Sequence, residues 1–356
     1  MKRLGAVVLA LLASVSPAFG WGAEGHQAIG EAAQTRLGDK AQAALARILL
    51  GGESTTLPPG KLAAIATWAD EIRLRRVQGL VPGTWTEADV TEADAFNAAH
   101  PANGSWHFVN LPLGASGYPK SVHGTDPLAR FASRNDVVHA INRAIAVLES
   151  PSATAEFSKA QAVRWLVHLV GDIHQPLHVT SGYYRTTSAA LKHPVLIKEP
   201  AIAAGPGIVS DRGGNGLVFP PDLNTLHSVW DGCAVQLVDG MACGRGEKTY
   251  TALARKLAKW AKAPEAAPFA PTGNHHGWAA QWATDSLKAA VETQAYRVTL
   301  SGARLQTTDG GSEVFQARIA SPSRHAYTSA RVRAARDQLV KATIRLADLL
   351  NAIQWK

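Results

Sequence analysis

The run His168-Leu169-Val170-Gly171-Asp172-Ile173-His174-Gln175-Pro176-Leu177-His178 closes a strongly apolar segment that begins at Ser158. Its periodicity predicts a helix from Ser158 to Gly171, broken at Pro176. On a helix His168 and Asp172, four residues apart, share a face. An imidazole and a carboxylate on one buried face are costly unless something compensates them. A metal ion is a natural compensation, because Zn²⁺ accepts imidazole nitrogen and carboxylate oxygen. The alternative is a buried histidine hydrogen-bonded to aspartate. The same spacing recurs at His227 and Asp231, in Asn224-Thr225-Leu226-His227-Ser228-Val229-Trp230-Asp231. Two such pairs favour a metal more than either does alone.

Other candidates are weaker by themselves. Asp70 ends the apolar stretch Ile65-Ala66-Thr67-Trp68-Ala69, His107 sits in the strand-like Trp106-His107-Phe108-Val109-Asn110, and His26 lies near the N-terminus. Each alone reads as structural sooner than as a ligand.

The N-terminus reads Met1-Lys2-Arg3, an apolar run Leu4 to Val15, then Ser16-Pro17-Ala18-Phe19-Gly20. That pattern predicts a signal peptide over 1–20, with cleavage leaving Trp21 as the new terminus. The apolar run is too short for a permanent anchor. The expected location is therefore secreted or periplasmic. The two cysteines, Cys233 and Cys243, read as one disulfide closing a small loop, and they lack the spacing of a thiolate zinc site. Basic residues exceed acidic ones, 36 against 28. An excess of that sign suits a polyanionic substrate.

Helical periodicity dominates the rest. Helices are expected at Trp21–Leu37, Asp39–Leu49, Pro58–Asp70, Asn135–Leu148, Asp222–Leu237, Lys248–Ala261, Gly277–Glu292 and Tyr327–Ala352. Loops are expected at Gly79–Gly124, Thr180–Pro221 and Tyr296–Pro322, the last with a hairpin around Asp309-Gly310-Gly311. The fold class expected is mainly α, one multi-helix domain over 21–356 with long loops and one small β-hairpin.

Six motifs occur in order: Trp21-Gly22-Ala23-Glu24-Gly25-His26, Trp68-Ala69-Asp70, Trp106-His107-Phe108, the His168-to-His178 run, Gly213-Gly214-Asn215 and Leu226-His227-Ser228-Val229-Trp230-Asp231. Together they closely resemble the zinc-dependent single-strand nuclease and 3′-nucleotidase family, the nuclease S-one and P-one type. The resemblance implies a compact helical domain of the phospholipase C and P-one nuclease type, with three zinc ions. By it, Asp70, His107, His168 and Asp172 hold the first ion, and His178, His227 and Asp231 the second. Trp21, through its free amine and carbonyl oxygen, holds the third with His26 and a bridging Asp172. It also implies hydrolysis of single-stranded DNA, RNA and 3′-nucleotides to 5′-phosphate products.

Arg73, one turn after Asp70, can face the same site and stabilise transition-state charge, unless it is an ordinary surface arginine. Phe108 can stack on an exposed base, with plain core as the alternative, and Asn110 and Asn215 can bond a base edge. Fungal members often have Asp where Asn110 stands. His174 is not a ligand in the family pattern. His100, His123, His139, His193, His275, His276 and His325 fall in no motif and read as surface or structural. Asn103-Gly104-Ser105 is a glycosylation sequon, meaningful only in a eukaryotic secretory route.

The nearest rival is a zinc-dependent phospholipase C, similar in fold and N-terminal Trp. Val179-Thr180-Ser181 after His178 departs from it, since that family tends to have a small residue and then Asn there. A non-catalytic zinc or nucleic-acid binder is the rival from another class. A monomer is the default expectation.

Overall fold

The helix Lys159–Asp172, fourteen residues long, runs through the interior of the protein. A computed structural model describes residues 20–123, 126–151, 156–221, 224–244, 250–308 and 311–356. Residues 1–19 of the expected signal peptide lie outside these, as does the Asp309-Gly310 part of the expected turn. The first half of the chain forms α1 (Gly22–Gln34), α2 (Asp39–Leu50), α3 (Lys61–Ile65), α4 (Trp68–Gln78), α5 (Glu87–Ala99), α6 (Val137–Glu149), α7 (Lys159–Asp172) and α8 (Pro176–Val179).

Local chemistry explains the boundaries of α7. Ser158 Oγ accepts from the Gln161 amide at 3.1 Å, and Gln161 Oε1 accepts from the Ser158 amide at 2.9 Å. This reciprocal cap satisfies N–H groups that the first turn leaves unpaired. At the other end Pro176 starts α8, where its missing N–H costs nothing. Ala162, Val163 and Trp165 through Asp172 are all buried, so α7 runs through the core. It packs against α1, α4, α6 and the late helix Val332–Ala352. On α6, Val137, Ile141, Ala144, Ile145 and Leu148 make the apolar stripe that meets the core.

The strands are short and peripheral. Leu111–Pro112 pairs in parallel with Thr180–Ser181, which carries the segments after His107 and His178 side by side. The expected hairpin is Thr299–Thr307 against Glu313–Ser321, and it joins a four-stranded sheet with Leu217–Phe219 and Asn224–Thr225. Cys233 and Cys243 are disulfide-bonded. Among the described residues no helix is long and apolar enough to cross a membrane.

Several boundaries differ from expectation. The Gly79–Gly124 region contains α5, which Thr86 and Asp89 cap reciprocally. The Pro58–Asp70 helix is broken between α3 and α4 at Ala66-Thr67, so Asp70 lies in the first turn of α4. The Tyr327–Ala352 helix is two helices, Arg324–Ser329 and Val332–Ala352. The described part of Asp222–Leu237 is a strand, one helical turn, a π-helix over Val229–Ala234 and a last turn Val235–Val238. The sequon asparagine Asn103 is fully buried and donates to Asn97 Oδ1 at 2.6 Å, so its amide is closed to modification in the folded chain.

Candidate metal centre

His168 and Asp172 both have 0% exposure, and the rest of the site gathers on them. Asp172 Oδ2 lies 3.1 Å from His168 Nε2 and 2.9 Å from His107 Nδ1. Its Oδ1 lies 3.3 Å from His26 Nε2 and 3.7 Å from His178 Nδ1. Asp70 Oδ1 comes within 3.7 Å of His168 Nε2 and 3.8 Å of His107 Nδ1. On the far side, His227 Nε2 is 3.5 Å from Asp231 Oδ2. Three sets of donor atoms result, each within 4.8 Å: His26, His168 and Asp172; Asp70, His107 and His168; His178, His227 and Asp231. Helices α1, α4, α7 and α8, the loop after α5 and the Leu226–Ala234 turns supply these residues.

Backbone carbonyls orient three of the imidazoles. His168 Nδ1 contacts the Ala66 carbonyl at 2.8 Å, His178 Nδ1 that of His107 at 2.7 Å, and His227 Nδ1 that of Gly213 at 2.7 Å. A proton held at Nδ1 leaves the Nε2 lone pair to face the site. Nε2 of His178 and His227, both ring nitrogens of His26, Asp70 Oδ1, Asp172 Oδ1 and Asp231 Oδ2 are buried without a hydrogen-bond partner, while His107 turns its Nδ1 to the same place. Native proteins leave few such atoms. Their convergence in one place fits divalent cations, whose ligands are neutral imidazole and carboxylate.

Charge is distributed unevenly over the cluster. Burial holds His107 and His227 down at about 3, so both imidazoles stay neutral. Burial likewise raises the Asp70 and Asp231 carboxyls. Burial also works against the charge on Asp172, yet His168 and His178 hold its carboxyl well below the usual range. For His168 burial is again opposed, here by the Asp172 and Asp70 carboxylates, which keep it up at about 9.

The remaining predicted residues sit around this cluster. Trp21 is fully buried beside Trp230, with ring centroids 6.4 Å apart, and its nitrogen is in the peptide bond to Gly20. Arg73 is half-buried, near enough for its charge to act on Asp70, His107, His227 and Asp231. Phe108 is half-buried and is not among the residues that form the apolar core. Asn110 Oδ1 accepts from Ser181 Oγ at 2.7 Å, and Ser181 Oγ accepts from the Gly213 amide at 2.8 Å. Asn215 is half-buried, with Nδ2 on the Arg212 carbonyl at 2.8 Å. His174 points away, from the Val170 carbonyl toward Arg345. A cavity of about 650 Å³ between Tyr118, His139, Thr284 and Arg345 lies away from the cluster.

Three supporting residues were not foreseen. Gln175 Nε2 donates to Asp231 Oδ1 at 2.8 Å, tying the two His/Asp segments together. Gly171 leaves room for His26, because a Cβ there would lie 2.6 Å from His26 Nδ1. Asp211 Oδ1 accepts from the Gly182 and Gly214 amides at 3.0 and 2.9 Å and so shapes the loop that anchors His227. Gln175 and Gly171 lie inside the central run, which was the one available signal; Asp211 carried none.

The family model described as S1/P1 Nuclease matches residues 21–354. The chain is similar to Nuclease S1 of Aspergillus oryzae, 26% identical over 65% of this chain and 60% of that protein. It is similar to Endonuclease 3 of Arabidopsis thaliana, 25% identical over 64% of this chain and 59% of that protein. Nuclease P1 of Penicillium citrinum is 30% identical over 44% of this chain and 47% of that protein. The chain thus spans about 60% of the length of the first curated relatives it matches.

Proposed function

Because the chain belongs to the S1/P1 nuclease family, we propose that it is an exported zinc-dependent hydrolase cutting single-stranded DNA, RNA and 3′-nucleotides to 5′-phosphate products. The observation that carries this reading is the convergence of buried, unpartnered Nε2 and carboxylate oxygen atoms around Asp172. Asp70, His107, His168 and Asp172 would hold one zinc ion, and His178, His227 and Asp231 a second. His26 and Asp172, with the amine and carbonyl of Trp21 once it is the terminus, would hold a third. Bound zinc supplies Lewis acidity and a water activated near neutral pH.

The chain's own groups do the rest. Nδ1 protons of His168, His178 and His227, held on carbonyls, keep each Nε2 free to bind. Asp70, buried in the first turn of α4, brings negative charge to the cluster. Arg73, one turn later, aims a guanidinium at the phosphate and stabilises the charge that grows in a phosphorane-like transition state. Phe108 stacks on an unpaired base, a contact open only in a single strand. Asn110 has its Oδ1 occupied by Ser181, so its Nδ2 is left to donate to an acceptor on the base edge. Asn215 assists at the rim.

The test is hydrolysis of single-stranded DNA, RNA, 3′-AMP and phosphatidylcholine by the mature protein, with and without a chelator. Chelator-sensitive release of 5′-nucleotides is expected. Release of choline phosphate alone would replace this reading with a phospholipase, and no hydrolysis would replace it with a binder.

A further inference from the structure

His275 and His276 belong to no motif, yet the fold does not leave them apart. Their rings lie side by side, centroids 4.3 Å apart. Adjacent residues seldom project together, but here they begin a short 3₁₀ turn, His275–Gly277. Asn274 caps that turn by accepting from the His276 amide at 2.9 Å. Both imidazoles face Glu149 at the end of α6. His275 Nε2 is 2.8 Å from Glu149 Oε1, and His276 Nε2 is 3.1 Å from Oε2. The side chains of His275 and Glu149 are only 11% and 16% exposed. The chain's C-terminal segment closes on the same carboxylate, with the Gln354 amide donating to Oε1 at 2.9 Å. Among the described residues this is the remaining His/carboxylate group, outside the family cluster, whose donor atoms all lie within 4.8 Å.

We propose that Glu149, His275 and His276 form a peripheral zinc site that clasps three distant segments: the end of α6, the 274–277 turn and, through Glu149, the C-terminal tail. The donor set is right, two imidazole nitrogens and one carboxylate oxygen with a fourth position open to water. One donor atom from each residue lies within 4.8 Å of the others, a spacing that small side-chain movements would bring to the roughly 3.3 Å between tetrahedral ligand atoms set by zinc bonds of about 2.0–2.1 Å; the two imidazoles now contact different oxygens of Glu149, at 2.8 and 3.1 Å. Small movements at the half-exposed His276 side chain, 52% accessible, would complete the geometry without disturbing the core.

The site is independent of the proposed nuclease centre, so its test does not depend on catalysis. Zinc content per chain is measured for the mature protein and for His276→Ala and Glu149→Gln after equilibration with a slight excess of zinc. Glu149→Gln keeps an oxygen for the Gln354 amide but is a poor zinc ligand. Both variants are expected to hold one ion fewer than the parent, with hydrolysis unchanged. Zinc should raise the parent's unfolding temperature more than theirs, while the three proteins unfold together in chelator. Equal zinc content in parent and both variants would overturn the proposal and leave Glu149 as a hydrogen-bond acceptor for two imidazoles. If the nuclease reading fails instead, the parent still exceeds the variants by one ion.

Discussion

Gln175 shows how much of the site rests on single side chains behind the ligands. Its Nε2 donates to Asp231 Oδ1, while among the described residues Asp231 Oδ2 has no hydrogen-bond partner and only His227 Nε2 nearby at 3.5 Å. Gln175→Leu keeps the volume and removes the donor. Outer hydrogen bonds of this kind usually cost about 10–100-fold in metal affinity or activity when lost. Zinc titration and kcat/KM on single-stranded DNA should both fall in that range; values within twofold of the parent would show that Asp231 is oriented by something else. Asp211 gives a pH prediction. Burial raises its carboxyl to about 7, against backbone hydrogen bonds from Gly214 and Gly182. The folded chain therefore holds a proton that the unfolded chain releases near pH 4. Stability from this group is complete below that pH and is lost as pH rises through 7. At about 1.4 kcal/mol per pKa unit the span is on the order of 4 kcal/mol. Asp211→Asn, which cannot ionise, should flatten the difference in urea stability between pH 5 and pH 8. An unchanged slope would place the Asp211 proton elsewhere.

At the scale of elements, the site depends on two helices approaching more closely than side chains normally permit. Helix α1 brings His26 onto α7 at Gly171, where a Cβ would sit 2.6 Å from Nδ1 and 2.7 Å from Cε1 of the imidazole. Gly171→Ala must push His26 aside. Overpacking of this kind costs about 1–3 kcal/mol. The expected outcome is a folded protein that loses the ion proposed between His26 and Asp172 but keeps the pair His178 and His227 intact, as read by metal content and calorimetry. Full metal content with parental stability would mean that α1 can slide. The same elements show what the sequence made legible. Helix α7 was readable because apolar periodicity, a Ser/Gln cap and Pro176 all mark it. Its His168/Asp172 spacing survives because a regular helix keeps residues four apart on one face. His227 and Asp231 also converge, but across a helical turn that runs into a π-helix over Val229–Ala234. A π-turn inserts a residue into the helical ladder and has no periodic signature, although it recurs at functional sites. Helix α5 went unseen for a different reason. Only Ala93, Phe96 and Asn97 of its thirteen residues are buried, too few to leave an apolar stripe, and its Thr86/Asp89 cap is the sole local mark. Gln175, Gly171 and Asp211 act through contacts with residues 26 to 231, and such partners become visible only when the chain is folded.

For the whole molecule, the proposed cut at the Gly20–Trp21 bond bears directly on the site. Trp21 is fully buried at the head of α1, next to His26 and across from Trp230. With the bond intact, Gly20 occupies the space between two ligand candidates: a Cβ on it would lie 1.9 Å from Asp172 Oδ1 and 2.5 Å from His26 Nε2. An uncut chain therefore fills the position that the third ion is proposed to take, and its Trp21 nitrogen is an amide with no lone pair to give. Cutting the bond clears the position and creates an amine, which binds once it loses its proton. The two remaining groups, built from Asp70 to Asp231, do not involve residue 20 and should load in either form. We expect a precursor that retains residues 1–20 to bind two zinc ions at this centre, and the same chain beginning at Trp21 to bind three there, with the proposed Glu149 site adding one ion to either form. Hydrolysis of single-stranded DNA should rise sharply with the third ion, and addition of one residue before Trp21 should reverse both changes. Metal content, N-terminal sequencing and activity measured on the same preparations decide the matter. A chain still carrying Met1 that holds all three ions at the centre and cuts at the full rate would break the link between export and activity, while leaving the remaining His/Asp groups as they are.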